Sequence, residues 1–425
     1  MANNFESNFT RKLAPIVCKS FETKRKVSKN VDTQLLEGRF KDSDTGKIVD
    51  FKRATDYRSV RTSTGDISGG GNKSDIITGK AAGTVQDYFT VYVDYDEADE
   101  ALKMAQKDKL VDIPMMTRLV TDFELDFCSF MMKNTALLAG TPGTPVTTWG
   151  QVANAGAVLE TAGVPQDAQW CYGMNPFTQI SLADQQRGLG TNPEVGSAND
   201  KATIKENFAG MRVISCTTLA SYNTGAFADR AGTLTSAPDP TYVTAKDTMT
   251  QVLAVTALQA NIVVPAGTTV QVAGSNRLNL STRQPVIDAA GAQVLWTGTV
   301  TETVTLSGTG AGNLVVTGPG IFEATGQYNT IDAALANGAV ITLLGAASTI
   351  IQPNLFWHKQ AFSVGSVPIK KLQSTDTLAK THDGLMLRVS MGSDFLANKN
   401  AVRIDFRPAY SCLNPFFAGQ GFGTT

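Results

Sequence analysis

Residues 113–138, IPMMTRLVTDFELDFCSFMMKNTALL, decide how the remainder of the chain is read. Asp112 can cap the N-terminus, and Pro114 falls in the first turn, where a missing N–H leaves no hydrogen bond unmade. Met116, Leu119, Val120, Phe123, Phe127, Phe130, Met131 and Leu138 recur at three- and four-residue spacing, the stripe of an amphipathic helix. Arg118, Asp122, Glu124, Asp126 and Lys133 take the other faces, and Gly140, Pro142, Gly143 and Pro145 end the pattern. At 1.5 Å per residue such a helix is about 40 Å long, the width of a whole domain.

Working back toward the N-terminus, residues 94–112 place acids early and lysines late, as a helix dipole favours. GKIVDFKRA (46–54) and GTVQDYFTVYVDY (83–95) read as strands. Between them, residues 55–81 are rich in Gly, Ser, Thr and Arg and offer almost nothing to bury. A loop that long inside a compact domain is either functional or docked elsewhere. It reads as a long finger whose tip needs a partner, since an isolated hairpin is marginal in water. Residues 1–37 form a short polar arm with weak helical spacing, and Lys24, Arg25, Lys26 and Lys29 make a basic cluster within it. Across residues 1–62 there are fourteen Lys or Arg against eight acids.

Downstream, residues 146–228 alternate helix and strand: a helix ending at Gly163, a buried strand in AQWCYGMNP, a helix opened by Pro176, and a strand in FAGMRVISC. From Asp229 to Ile350 only about one residue in eleven is charged, threonine is abundant, and short alternating strands are separated by Gly, Pro and Asn turns. That is the pattern of an all-β barrel or sandwich. Because α/β character resumes afterwards, this unit reads as an insertion whose ends lie close together. In the tail, Val402, Ile404 and Phe406 alternate with Arg403, Asp405 and Arg407, one face in and one face out.

The 425 residues suffice for two or three domains, and a net charge of −1 commits the chain to neither nucleic acid nor membrane. Five scattered cysteines without a CxxC predict free thiols, and no apolar run reaches the length of a membrane span. A soluble cytoplasmic product is expected. Catalytic motifs are missing: two histidines, His358 and His382, exclude HExxH and Cys/His zinc spacing, and no GxSxG accompanies them. His358, within NLFWHKQAF, reads as a core or edge histidine. GDISGGGNKSD (65–75) has Asn72 where a phosphate loop requires Gly, and DSDTG (42–46) lacks the bidentate Glu of a calcium loop. No enzyme activity, cofactor or metal is expected.

QLLEG (34–38), VDFKRATDYRSVRTSTGDISG (49–69), FMMKN (130–134), NPFTQISLADQQRGL (175–189), QPNLFWHKQAF (352–362) and RIDFRPAYSCLNPFFAGQGFG (403–423) carry a resemblance. In that order they resemble the major capsid (coat) proteins of short-tailed double-stranded-DNA bacteriophages of the P22 type. The resemblance implies an α+β chain with the HK97-type capsid fold. Its parts would be an N-terminal arm (1–37), an E-loop (38–95), a P-domain with spine helix (96–147), an A-domain (148–228 and 351–383), an inserted all-β I-domain (229–350) and P-domain C-terminal strands (384–425). It further implies self-association into the hexamers and pentamers of an icosahedral shell, with a scaffolding protein, a portal protein and non-specifically packaged double-stranded DNA as partners, and no membrane. The shell would be a procapsid, assembled in the bacterial host cytoplasm, that matures into the virion capsid as DNA is packaged. A β-rich surface or adhesion protein is the competing structural class, opposed by the odd cysteines and the basic start.

Contacts between copies are then expected at the finger, where Arg58, Arg61 and Lys73 would meet acids of an adjacent P-domain, with Asp94, Glu97 and Glu100 as candidates. Lys24, Arg25, Lys26 and Lys29 are candidates to face scaffold or DNA. On the long helix, Arg118, Asp122, Glu124 or Asp126 are expected to look toward a neighbour or the shell interior. The insertion would act as a folding nucleus, or would touch other capsomers through polar loops such as SNRLNLSTRQP (275–285).

Overall fold

In the computed structural model the long helix spans Ile113–Lys133, about 31 Å at 1.5 Å per residue. The structure describes residues 6–36, 46–69, 73–96, 111–187, 198, 201–226, 229–324, 326–372, 376–394 and 398–424. The helix expected within 94–112 therefore lies almost wholly outside the described residues. At its other end the helix is shorter than its apolar stripe. Asn134 donates from its side chain to the Phe130 carbonyl (2.8 Å), and Thr135 and Gln420 donate to that of Met132 (3.1 and 3.2 Å). With its last carbonyls so capped, the chain turns into the strand Leu137–Ala139, which pairs in parallel with Ala418–Gly421.

The chain forms two compact units, and the division falls within this helix, at Cys128–Ser129. The first unit comprises 1–50, 82–128 and 362–411. Its main sheet runs, in spatial order, Thr377–Lys380, Met386–Asp394, Lys399–Phe406 and Phe89–Asp96, with every neighbouring pair antiparallel. Phe123 is wholly buried at its centre, with ring centroids of Phe406, Phe21, Phe89, Phe127 and Tyr410 5.0–6.4 Å away. Residues 362–383, expected with 351–361, belong to this unit because Phe362–Ser366 joins its second sheet, beside Pro408–Cys412.

A polar cluster is buried on the opposite face of the same sheet, where Asp405 lies beside Arg388 and Thr90. Val402, Ile404 and Phe406 point inward as their alternation predicts, but Asp405 is buried as well. It accepts from Arg388 Nε (2.9 Å), Arg403 Nε (2.8 Å) and Thr90 Oγ1 (2.6 Å). Burial alone would raise its pKa, yet these hydrogen bonds and the Arg388 charge outweigh burial and hold the carboxyl below the usual carboxylate range.

The second unit comprises 51–81, 129–361 and 412–425. One part is a six-stranded mixed sheet ordered Leu137–Ala139, Ala418–Gly421, Asn354–Trp357, Cys171–Met174, Met211–Ser215 and Asn207–Phe208. The helix Trp149–Thr161 packs on it through Val152, Ala155 and Leu159 and stops at Gly163, whose φ of +85° suits a residue without a side chain. His358 follows the central strand and is fully buried. Its Nδ1 accepts from the Gln360 N–H (3.2 Å), so Nε2 carries the proton and donates to Asp167 (2.9 Å).

The other part is a closed antiparallel barrel. In spatial order its strands are Thr250–Thr256, Gly312–Thr317, Leu295–Val300, Thr269–Asn276, Val340–Leu343 and Ala231–Leu234, the last pairing with the first. Leu253, Val255, Val270, Val272, Trp296, Val316 and Ile341 fill its interior. Chain entry and exit form a ladder: Tyr222 and Asn223 pair with Ile351 and Ile350, and Ala231 pairs with Thr342.

Arg277 joins the barrel to the segment that follows the long helix. Its Nη2 donates to the Ala136 carbonyl (2.8 Å) and to Thr297, and burial pushes its pKa down to about 10, leaving it charged near neutrality. Arg277→Met is expected to leave that carbonyl without a charged donor and to destabilise the second unit by about 1–3 kcal/mol. Urea unfolding followed by tryptophan emission measures the loss, and an unchanged midpoint would refute it.

Candidate subunit-interface surfaces

The finger residues are placed as surface groups. Residues 53–79 form no strand in the described stretches, and Arg58, Arg61 and Lys73 are exposed on them. Ser74 Oγ accepts from the Arg58 N–H (3.0 Å), so the two sides of the finger touch at that level. Exposed Tyr57, Ile67 and Ile76 add apolar surface.

Asp94 lies in the first unit, on the outer face of Phe89–Asp96, where Thr90, Tyr92, Asp94 and Asp96 alternate outward. A groove of about 490 Å³ opens beside it, lined by Tyr92, Asp94, Leu372, Met391, Lys399 and Arg403 among others. Asp94 is already 3.6 Å from Lys399, and both side chains are about half exposed. An exposed pair of this kind contributes about 0–1 kcal/mol, so an incoming cation can displace Lys399 at small cost. The exposed Tyr92 ring offers a second attraction to a guanidinium. Glu97 and Glu100 lie outside the described residues. Tyr92 and Leu372 were not among the expected residues, although the period-two alternation around Asp94 places Tyr92 on its face.

The basic cluster divides. Lys24, Lys26 and Lys29 are exposed, whereas Arg25 is buried and cannot face DNA or scaffold with them. Its guanidinium donates to Ser28 Oγ (2.8 Å), the Ser28 carbonyl (2.9 Å) and Asp383 (3.2 Å). Burial lowers its pKa, opposed by Glu124, Asp383 and Glu22.

Glu124 also departs from expectation. It is buried and accepts from the N–H groups of Val27 (2.9 Å) and Ser28 (3.1 Å) and from the Ser28 hydroxyl. The arm is thus pinned to the helix through the residue assigned to an outer face. Arg118 and Asp122 do lie outside, as a surface pair 2.9 Å apart one turn along, and Asp126 is exposed. The polar stretch 275–285 contacts its own unit: Asn279 donates to the Thr161 carbonyl (2.8 Å), and Leu280 N–H to that of Ala162 (3.0 Å).

All five cysteines are free thiols, and burial pushes Cys171 up to about 11 and Cys412 up to about 12, away from the reactive thiolate. Among the described residues no group of three or more His, Cys, Asp or Glu side chains could hold a metal, and no helix is long and apolar enough to cross a membrane.

The profile of the family described as "P22 coat protein - gene protein 5" matches residues 1–423. The "Major capsid protein" of Acyrthosiphon pisum secondary endosymbiont phage 1 is 35% identical over 427 residues, covering 100% of both chains. Among solved structures, a chain from Mycobacterium phage Che8 aligns with 93% of this chain and 90% of its own, at 10% identity and a TM-score of 0.46. A chain from the capsid of Ralstonia phage GP4 aligns over 93% and 88%, at 10% identity and a TM-score of 0.43. With the profile matched almost from end to end and a relative aligned over its full length, this chain belongs to the P22 coat protein family.

Proposed function

We infer that this chain is the major capsid protein of a phage, and that copies of it close an icosahedral shell of hexamers and pentamers around double-stranded DNA. The observation that carries this reading is the full-length match to a coat protein family and to a phage major capsid protein. The finer picture is a procapsid built around a scaffolding protein in the host cytoplasm, with a portal at one vertex, that matures as DNA is packaged. In that picture the chain has the HK97-type organisation of arm, E-loop, P-domain, A-domain and I-domain. The finger of one subunit lies on the groove of the next, and Arg61 or its neighbours Arg58 and Lys73 approach Asp94 and Tyr92. The task asks no bond chemistry of the chain. His358 is committed to Asp167, and the Cys171 and Cys412 thiols are held protonated, which supports a purely structural role.

A single exposed pair is weak, but repetition around a closed shell makes it decisive for register. Arg61→Glu is expected to leave the subunit folded and to reduce closed shells at least several-fold when it is assembled with scaffolding protein. Negative-stain microscopy counts the shells and circular dichroism checks the fold. Normal shell yield from the folded variant would remove Arg61 from the interface, and absence of shells from the unaltered chain would remove the capsid reading.

A further inference from the structure

The finger has a feature that its surface role does not explain: its two sides are tied together by a side chain from the barrel. Gln327, buried in the loop between barrel strands, donates from Nε2 to the carbonyls of Asp56 (2.6 Å) and Asp75 (2.8 Å). Its Oε1 accepts from the Asp75 N–H (3.1 Å). One carboxamide thus supplies the hydrogen bonds that a strand between the two sides would make, as its two donors and one acceptor allow. Arg283, also from the barrel, pairs with the Asp56 carboxylate and donates to the Asn329 carbonyl (2.6 Å). Tyr328 donates to the Ile77 carbonyl (3.2 Å), and its ring stacks on Tyr242 at 3.7 Å. Asp247 accepts from the Lys80 N–H (3.1 Å).

We propose that Gln327 is a positioning residue, the rung by which the barrel fixes the direction of its own chain's finger. Residues 53–79 carry too little apolar surface to hold an orientation alone, and at their base only Arg53 N–H to the Gly79 carbonyl joins the two sides by backbone, among the described residues. Gln327 makes no part of the barrel ladder and contributes nothing to the barrel's apolar interior. Its bonds are spent on the finger. The inserted domain thereby acquires a role separate from folding nucleus and from contact between capsomers: it aims the element that reaches a neighbour. That last step rests on the shell reading, whereas the rung itself does not.

Hydrogen exchange on the soluble full-length chain tests the rung without reference to assembly. Gln327→Ala is expected to speed exchange of the Asp75 amide by about tenfold or more, the effect of removing a buried acceptor, with Leu253 and Val316 amides in the barrel unchanged. Gln327→Glu keeps an acceptor for Asp75 but loses the donors, so it should retain part of that protection while releasing the Asp56 side. Unchanged Asp75 exchange in Gln327→Ala overturns the proposal. Equal acceleration in the barrel strands also overturns it, since Gln327 would then be an ordinary part of the barrel's stability. In assembly with scaffolding protein, Gln327→Ala should give several-fold fewer closed shells, with open or irregular particles in their place. Wild-type yield of regular shells would refute the aiming role. Failure of the unaltered chain to form shells would count against the capsid reading and leave the exchange result standing.

Discussion

Phe123→Ala is expected to destabilise the first unit by about 3–5 kcal/mol, the range found for emptying a large aromatic from a closed core. Phe123 is fully buried and touches the arm through Phe21, the sheet through Phe89 and Phe406, and its own helix through Phe127. No single neighbour can move in to fill the space without leaving another. A loss of that size is a large fraction of the stability of an ordinary domain. All four tryptophans (Trp149, Trp170, Trp296 and Trp357) lie in the second unit, so their emission is poorly placed to see it. Exchange of amides in 386–394 and 399–406 is the suitable measurement, and protection there equal to wild type would contradict the central role of this ring.

Asp405→Ala should be comparably damaging for an electrostatic reason. Arg388 is buried against Asp405 and has, besides it, the Lys370 carbonyl at 2.8 Å. Removing the carboxylate strands a buried guanidinium, a loss of about 3–5 kcal/mol where one partner of a buried pair is deleted. The same group gives the first unit a pH dependence of defined sign. Its folded-state pKa lies below its unfolded value, so unfolding takes up a proton in acid. The stabilisation is therefore complete above the unfolded value, about 3.9, and is lost as pH falls through the folded one. Asp405→Asn should be less stable at neutral pH and should show a shallower acid limb than wild type. Parallel acid limbs for the two proteins would show that this carboxylate does not set the dependence.

Elements defined by apolar periodicity are legible in the residues alone, because burial on one face imposes the period of the backbone itself. The long helix, the helix from Trp149, the buried strand at Cys171 and the barrel strands are of this kind. Charged residues that enter a core cannot be read the same way. Glu124 is buried because Val27 and Ser28, nearly a hundred positions earlier, bring N–H groups to it, and Arg25 is buried against Asp383, 358 positions later. Along the helix Glu124 looks like any solvated acid, and the partner that reverses this is invisible at short range. Gln327 is a further instance, an unremarkable residue in a turn until residues 56 and 75 arrive beside it. The exposed charges of the finger and the groove are legible because nothing folds over them.

The two-stranded ladder through which the chain enters and leaves the barrel has a consequence for rebuilding the protein. Partners in an antiparallel pair sit about 4.5–5.5 Å apart, so the backbone enters and leaves the barrel at neighbouring positions, and the barrel's other ties to its unit are bonds such as those of Arg277, Asn279 and Gln327. Such a joint brings the chain back to the point it left, so a foreign domain with adjacent termini can be grafted at the same two positions once the bonds that Arg277 and Gln327 make are replaced.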